Sequence, residues 1–296
     1  MTRSVGMIGL GIMGGAMARN LTEAGYKVIG YDIDAHAREV ARKAKVEIAT
    51  SIAEVAEKAP DILVSLPSAK AVIEVAKAIA GAKAKARTVA ETSTLSLEDK
   101  NAFARILEQA GHIALDCPLS GTGAQAQTRD LVIFASGDAA AIHRLEPVFQ
   151  GFGRKSHNLG AFGNGTRMKF VANLLVAIHN VAAAEAMTLG IKAGLDPDRI
   201  VEVIGSGAGT SRVFELRAPM MAKNDYLPAT MRSRTWKKDM KVIGDFASSL
   251  DCPTPLFNTT GALYDAALAM GRDAEDVAVV CVVLEAMAGV KQGAGA

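Results

Sequence analysis

The stretch "MIGLGIMGGAMARNL" (residues 7–21) sets Gly9, Gly11 and Gly14 in the spacing Gly-x-Gly-x-x-Gly, between a short apolar run and an alanine-rich helical pattern. In that spacing the first glycine permits a tight turn and the second lets the backbone approach a pyrophosphate. The third lets helix and strand pack closely, while the helix N-terminus offers N–H groups and a positive dipole end to the phosphates. Such a pattern alone is weak, because glycine-rich turns are common. Its second half lies in "KVIGYDID" (27–34), a strand pattern that ends in Asp32, eighteen residues after Gly14. A carboxylate there accepts ribose hydroxyls and repels a 2′-phosphate. Ile33 and Asp34 follow it directly, with no arginine, so NAD is favoured over NADP. Gly9, Leu10, Gly11, Ile12, Met13, Gly14 and Asp32 are the expected cofactor-binding residues. Leu66 and Pro67, which close the apolar run "DILVSLP" (61–67), are assigned to the same role.

Outward from this stretch, strand and helix patterns alternate. β-Branched runs at 4–10, 27–32, 61–67 and 87–94 are separated by helical patterns near 13–24, 35–44, 69–80 and 97–110, and are followed by "HIALDCPL" (112–119) and "DLVIFASG" (130–137). Alternation of this kind predicts right-handed βαβ units and a mostly parallel, doubly wound sheet. Near residue 163 the period changes to long helical patterns. The first runs from about 165 to Leu189 or Ala193 and stops at Gly194; the next restarts with Asp196 as N-cap and Pro197 in its first turn. The expected architecture is an α/β Rossmann domain over 1–162, then an all-helical substrate and oligomerisation domain over 163–296, joined by a long interdomain helix. The tail "KQGAGA" (291–296) is expected to be loose.

Composition narrows the function classes. The net charge of +2 makes no electrostatic case for a nucleic-acid partner. Cys117, Cys252 and Cys281 are widely spaced, and the five histidines are scattered, so neither a disulfide framework nor a metal site is expected. No basic segment with a cleavage site precedes the N-terminal apolar run, and "VAVVCVVLEAMAGV" (277–290) is short for a bilayer and carries Glu285. A soluble, cytoplasmic protein without a membrane partner is expected.

One segment of the second half carries chemistry. "GNGTRMKFVAN" (163–173) places Lys169 and Asn173 four apart, on one face of an otherwise apolar helix. Taken alone, this is a lysine snorkelling at a helix edge. In context, the chain resembles the β-hydroxyacid dehydrogenases, which include 3-hydroxyisobutyrate dehydrogenase, tartronate semialdehyde reductase and, more distantly, 6-phosphogluconate dehydrogenase. Four motifs carry the resemblance in order: "GLGIMGGAMARNL" (9–21), "DCPLSGTGAQA" (116–126), "GNGTRMKFVAN" (163–173) and "KKDM" (237–240).

The resemblance implies that Lys169 is the catalytic lysine and that Asn173 orients substrate. It further implies that Ser120 and Gly121, with Thr122 beside them, hold the substrate carboxylate. Thr94 would lie near the nicotinamide, and Lys238 would close over cofactor and substrate. The chemistry agrees. Hydride transfer to a carbonyl builds an alkoxide that needs a proton donor, and the reverse reaction needs a base. A lysine, with an ordinary pKa of about 10.4, serves as that base only when burial or a second cation such as Lys238 lowers it. The cofactor carries the redox step, so no metal is required.

The substrate loop departs from the family's Ser-Gly-Gly and later Gly-Thr-Leu: Thr122 replaces the second glycine, and Arg129-Asp130 replace Gly-Thr. Thr122 either narrows the carboxylate pocket or adds a hydroxyl contact. Arg129 is either solvated or binds a second anionic group. Arg232, Arg234, Lys237 and Lys241 read as a solvated helix face, Trp236 as core or interface, and His179 and Asn180 as packing or interdomain contacts. The expected activity is hydride transfer between nicotinamide and a small anionic 3-hydroxy carboxylate or semialdehyde, in a homodimer or homotetramer. The alternatives are an imine reductase, an oxidative sugar-acid dehydrogenase, or a non-catalytic cofactor-binding protein. The last needs none of Lys169, Asn173, Ser120 and Lys238.

Overall fold

A computed structural model describes residues 3–290, so the expectation for the tail 291–296 lies outside the described residues. The chain forms two compact units, Met1–Lys169 and Phe170–Ala296.

In the first unit the apolar runs become strands wherever a helix can cover them. The order is β1 (Ser4–Ile8), α1 (Ile12–Glu23), β2 (Lys27–Tyr31), α2 (Ala35–Lys43), β3 (Glu47–Ile48), α3 (Ile52–Lys58), β4 (Asp61–Val64), α4 (Ala69–Ala80), β5 (Thr88–Glu91) and α5 (Leu97–Gln109). There follow β6 (Ile113–Asp116), β7 (Leu119–Ser120), α6 (Gly123–Gln127), β8 (Val132–Gly137), α7 (Ala139–Phe152), β9 (Lys155–Asn158) and the start of α8 (Asn164–Lys192). The sheet runs β3-β2-β1-β4-β5-β6-β8-β7, with β9 paired to β8. Strands β1 to β6 are parallel, and β8 lies antiparallel to β6 and β7. A mostly parallel, doubly wound Rossmann sheet is therefore present. Its two faces bury separate cores, one around Met17, Leu21, Leu145 and Phe149, the other around Val55, Val72, Ile79 and Phe103.

The elements that hydrophobic pattern does not reveal are β3, α3, α6, α7 and β9. Strand β3 has two residues, α7 carries Pro147 inside it, and β9 ("KSHN") is a polar edge. Side-chain caps mark most helix starts. Asp34, Ser51, Ser68, Ser96 and Asp138 each accept a backbone N–H from the first turn of α2, α3, α4, α5 and α7. Helix α1 begins at Gly11 with no such cap.

The second unit holds the rest of α8, α9 (Pro197–Gly205), α10 (Arg212–Lys223), α11 (Ser233–Ser249), α12 (Pro255–Ala269), a 3-10 turn (Val277–Val279) and α13 (Val280–Ala288). Asp196 caps α9 and Pro197 opens it, while Gly194 beyond α8 takes φ +84°. Asn180 is buried and donates to Tyr264 Oη at 3.0 Å and to the Val277 carbonyl at 2.9 Å, so it packs the helices of this unit together. Trp236 is core, edge-on to Tyr264. Buried Asp276 accepts the Thr230 and Met231 amides at 2.8 and 3.0 Å, which fixes the approach to α11. By length and composition α8 could cross a membrane. It nevertheless buries Thr166, Asn173 and Asn180 with hydrogen-bond partners in the protein, as the core helix of a folded domain does.

Two glycine substitutions should have opposite signs. A Cβ on Gly165, in the first turn of α8, would lie 2.3 Å from the Phe134 carbonyl oxygen and 2.7 Å from that of Asp116. Gly165→Ala is therefore expected to destabilise by about 1–3 kcal/mol. Gly261, inside α12, has open space where a Cβ would go, so Gly261→Ala should stabilise by about 0.5–1 kcal/mol. Denaturant unfolding of both variants checks the pair.

Candidate active site

The glycine fingerprint sits where the strand order reverses, between β1 and β4, the crevice at which open α/β sheets bind ligands. Gly9 takes φ +91°, and a Cβ there would fall 2.0 Å from the Ser65 carbonyl oxygen. A Cβ on Gly14 would lie 1.9 Å from the Gly9 carbonyl oxygen, so α1 lies directly against the turn. At Gly11 nothing stands within 4 Å of a Cβ position. That open space faces the uncapped first turn of α1, and a pyrophosphate fits both observations. Asp32, just past β2, is held by the Leu10 amide at 2.6 Å and the Asp34 amide at 2.8 Å. Its carboxylate is thereby set beside the turn. Ile12 is exposed, while Leu10 is buried under the loop.

Along the same carboxyl edge, the Leu66 amide donates to Ser93 Oγ at 2.9 Å, which joins Leu66-Pro67 to the segment that leads into Thr94. The loop and short helix at 120–127 dock on α1. Asn20 Nδ2 donates to the Ala126 carbonyl at 2.8 Å, and a Cβ on Gly123 would come within 2.6 Å of the Ile12 side chain. Gly121 takes φ +135°, a backbone conformation suited to glycine. The first unit thus gathers Gly9–Gly14, Asp32, Leu66, Pro67, Thr94 and Ser120–Thr122 around one edge of its sheet.

Both departures in the loop have local explanations. Thr122 precedes α6, and its amide donates to Gln125 Oε1 at 3.0 Å. Arg129 adopts φ +60°, a position where the family's glycine is at ease. Its guanidinium bonds Glu23 Oε2 at 3.0 Å and reaches the Asn20 carbonyl at 3.4 Å on α1. Half-buried and paired on α1, Arg129 thus differs from the simply solvated reading. Asp130 accepts from Arg154 Nε at 2.8 Å and Gln125 Nε2 at 3.1 Å.

Lys169 closes the first unit and is buried, three residues after Thr166 in α8. Two amides in the first turn of helix α8 are satisfied from the sheet. Asp116 Oδ2 accepts the Thr166 amide at 2.7 Å, Asp116 Oδ1 accepts Thr166 Oγ1 at 2.8 Å, and Ser136 Oγ accepts the Gly165 amide at 2.9 Å. Asn173, one turn on, belongs to the second unit. There its Nδ2 donates to Asp239 Oδ2 at 3.3 Å, and Lys238 Nζ lies 3.7 Å from Asp239 Oδ1. Asp239 is buried and Lys238 half-exposed on α11. The outer face of α11 carries Arg234, Lys237 and Lys241 in surface pairs with Asp273, Asp265 and Asp245.

Sequence reasoning missed two groups. Asp239 stands inside the quoted "KKDM", but nothing local marks it as the partner of Asn173. The other group is Glu91, Lys100 and Asp116, all three with fully buried side chains. Lys100 Nζ pairs with Glu91 and lies 3.0 Å from Asp116 Oδ1. Burial opposes its charge, but Asp116 and Glu91 outweigh that and hold the ammonium above the usual lysine range. Burial likewise pushes the neighbouring Cys117 thiol up, so it stays protonated.

Residues 4–161 match the family described as the NAD binding domain of 6-phosphogluconate dehydrogenase, and residues 163–284 match NAD-binding of NADP-dependent 3-hydroxyisobutyrate dehydrogenase. The chain is 32% identical over 284 residues to an L-threonate dehydrogenase of Cupriavidus necator, covering 95% of each chain. It is 30% identical over 290 residues to a 2-hydroxy-3-oxopropionate reductase of Escherichia coli, covering 97% of this chain and 99% of that one. A solved structure of Mycobacterium tuberculosis 3-hydroxyisobutyrate dehydrogenase with L-serine is 27% identical and superposes with TM-score 0.86, over 96% of this chain and 99% of that chain.

Arg129→Gly tests the local account of the loop. It should relieve left-handed strain of about 1–2 kcal/mol at the loss of a surface pair worth about 0–1 kcal/mol. Stability is thus expected to hold or rise slightly in thermal unfolding. The kcat/KM ratio between dianionic and monoanionic acids should not change.

Proposed function

Since the chain belongs to the β-hydroxyacid dehydrogenase family of NAD(P)-dependent oxidoreductases, we propose that it interconverts a small 3-hydroxy carboxylate with its semialdehyde or ketone. NAD is used in preference to NADP, and Lys169 is the proton-transfer group. The observation that carries this reading is the placement of Lys169: a buried lysine, one turn beyond a helix start bonded into the edge of the sheet that bears the dinucleotide fingerprint.

The nicotinamide, when bound, supplies hydride acceptance and return. The chain's own residues do the rest. Gly11 and the first turn of α1 receive the pyrophosphate, and Asp32 receives the ribose hydroxyls. A charge at Asp32 disfavours a 2′-phosphate, which supports NAD. Ser120 and the Gly121 amide hold the carboxylate. Lys169 takes the proton from the substrate hydroxyl in oxidation and returns it to the alkoxide in reduction, and its ammonium stabilises the oxyanion as charge develops. Asn173, four residues after Lys169 on the same face of α8 and bonded to Asp239, orients the reacting oxygen. The relatives are named for small hydroxy or oxo carboxylates, and the same substrate class is proposed for this chain. Exposed Leu189, Leu195 and Met287 in the helical unit support self-association.

A screen of L-threonate, 3-hydroxyisobutyrate and 2-hydroxy-3-oxopropionate with each nicotinamide, followed by absorbance of the reduced ring, tests the class and the cofactor together. Turnover with none of them, or preference for NADP, would count against the reading. Lys169→Ala is expected to lower kcat by about 10²- to 10⁴-fold while leaving NADH binding unchanged. Asp32→Asn keeps an acceptor for the Leu10 amide and removes the charge; it should narrow the NAD/NADP ratio of kcat/KM about tenfold. Light scattering should return the mass of a dimer or tetramer.

A further inference from the structure

We propose that Glu91, Lys100, Asp116 and Thr166 form a positioning cluster that places Lys169 relative to the nicotinamide-side loop, through one ammonium shared by two carboxylates. The inference rests on the assignment of Lys169 as the proton-transfer residue. It concerns residues of the first unit alone.

Helices α2 to α5 and α7 take their caps from the residue just before them, so each of these starts where its own sequence says. Helix α8 starts where the sheet says. Its Thr166 is bonded twice by Asp116 at the end of β6, fifty residues earlier, and its Gly165 amide by Ser136 of β8. Gly165 lets the helix close on the Asp116 and Phe134 carbonyls, so the first turn has no slack along its axis. Thr166 and Lys169 are three apart on the helix and share a face. Rotation or axial slip of the first turn therefore moves the lysine directly.

The opposite arm runs through Glu91, whose Oε1 accepts the Ser93 amide at 2.8 Å; Ser93 Oγ in turn accepts the Leu66 amide at 2.9 Å. Thr94 follows Ser93. Lys100 joins the arms, paired with Glu91 and 3.0 Å from Asp116. The three side chains bury one positive and two negative charges, and the positive end of the α8 dipole offsets the excess. Apolar residues of similar volume would serve stability as well. What a bonded charge network adds is a single register, because each carboxylate accepts from fixed donors on both sides.

Thr166→Val removes one hydroxyl, and Asp116→Asn keeps an acceptor for the Thr166 amide while leaving Lys100 paired with Glu91. Each is compared with wild type and with Thr166→Ser, which restores the hydroxyl. L-Threonate and 3-hydroxyisobutyrate serve as probe acids. The expected result is a fall in kcat of about 10- to 100-fold for Thr166→Val and Asp116→Asn, with little change in KM and unchanged NADH binding by fluorescence titration. Hydrogen–deuterium exchange should quicken in the peptide covering 164–172, and Thr166→Ser should recover both kcat and protection. Wild-type kcat and protection in Thr166→Val would overturn the proposal, as would failure of Thr166→Ser to recover them. Should Asp116→Asn not fold, the Thr166 pair decides by itself. Lys169→Ala, run in parallel, separates the two readings. If it keeps wild-type turnover, the acid–base assignment falls and this proposal with it. If it is inactive while Thr166→Val is unimpaired, only the positioning role fails.

Discussion

The buried ammonium of Lys100 joins the ends of β5 and β6 at the carboxyl edge of the sheet. Lys100 lies between Glu91 and Asp116 with no exposed surface on any of the three side chains. A carboxylate in that environment needs donors at its oxygens, and besides Lys100 these are backbone amides and the hydroxyls of Thr166 and Ser136. Ser93 bonds Glu91, and Thr166 bonds Asp116. Satisfying the charges and fixing the two segments are therefore one requirement. The loop into Thr94 and the start of α8 cannot move independently of the cation between them.

The glycines impose the complementary constraint of close approach. Gly9 and Gly14 leave room only for hydrogen, so turn, strand and helix meet without a gap. Gly11 differs: the space at its Cβ position is empty, and α1 begins there without the serine or aspartate that starts α2 to α5. Crowding on two sides and openness on the third give the cradle its shape. Gly165 repeats the crowded case at α8, where a methyl group would collide with two carbonyl oxygens. The second glycine of the "GNG" that opens α8 thus has a steric origin.

Legibility followed the range of the forces involved. The fingerprint, Asp32, the Asp196-Pro197 start of α9 and the stop at Gly194 are local features, written in adjacent residues. The strand and helix alternation of the first half was equally plain. Strand β9 escaped because a polar edge carries no apolar pattern, and α7 because Pro147 interrupts its helical signal. Arg129 was ambiguous in sequence, since an exposed arginine reads alike whether it faces solvent, a substrate or a neighbouring helix. Its bond to Glu23 on α1 spans over a hundred residues.

The sequence by itself determined that the chain begins with a dinucleotide-binding α/β domain, continues as helices, and carries Lys169 and Asn173 on one helical face. Backbone conformation and amphipathic period depend on near neighbours, so they survive being read in one dimension. Only the tertiary structure decided which charges are paired: Lys100 with Glu91 and Asp116, Asp116 with Thr166, and Asp239 with Asn173. Coulombic and hydrogen-bond energies depend on separations of a few ångströms in space and are blind to separation along the chain. The partners that bond the start of α8 therefore became identifiable only once the sheet had brought them together.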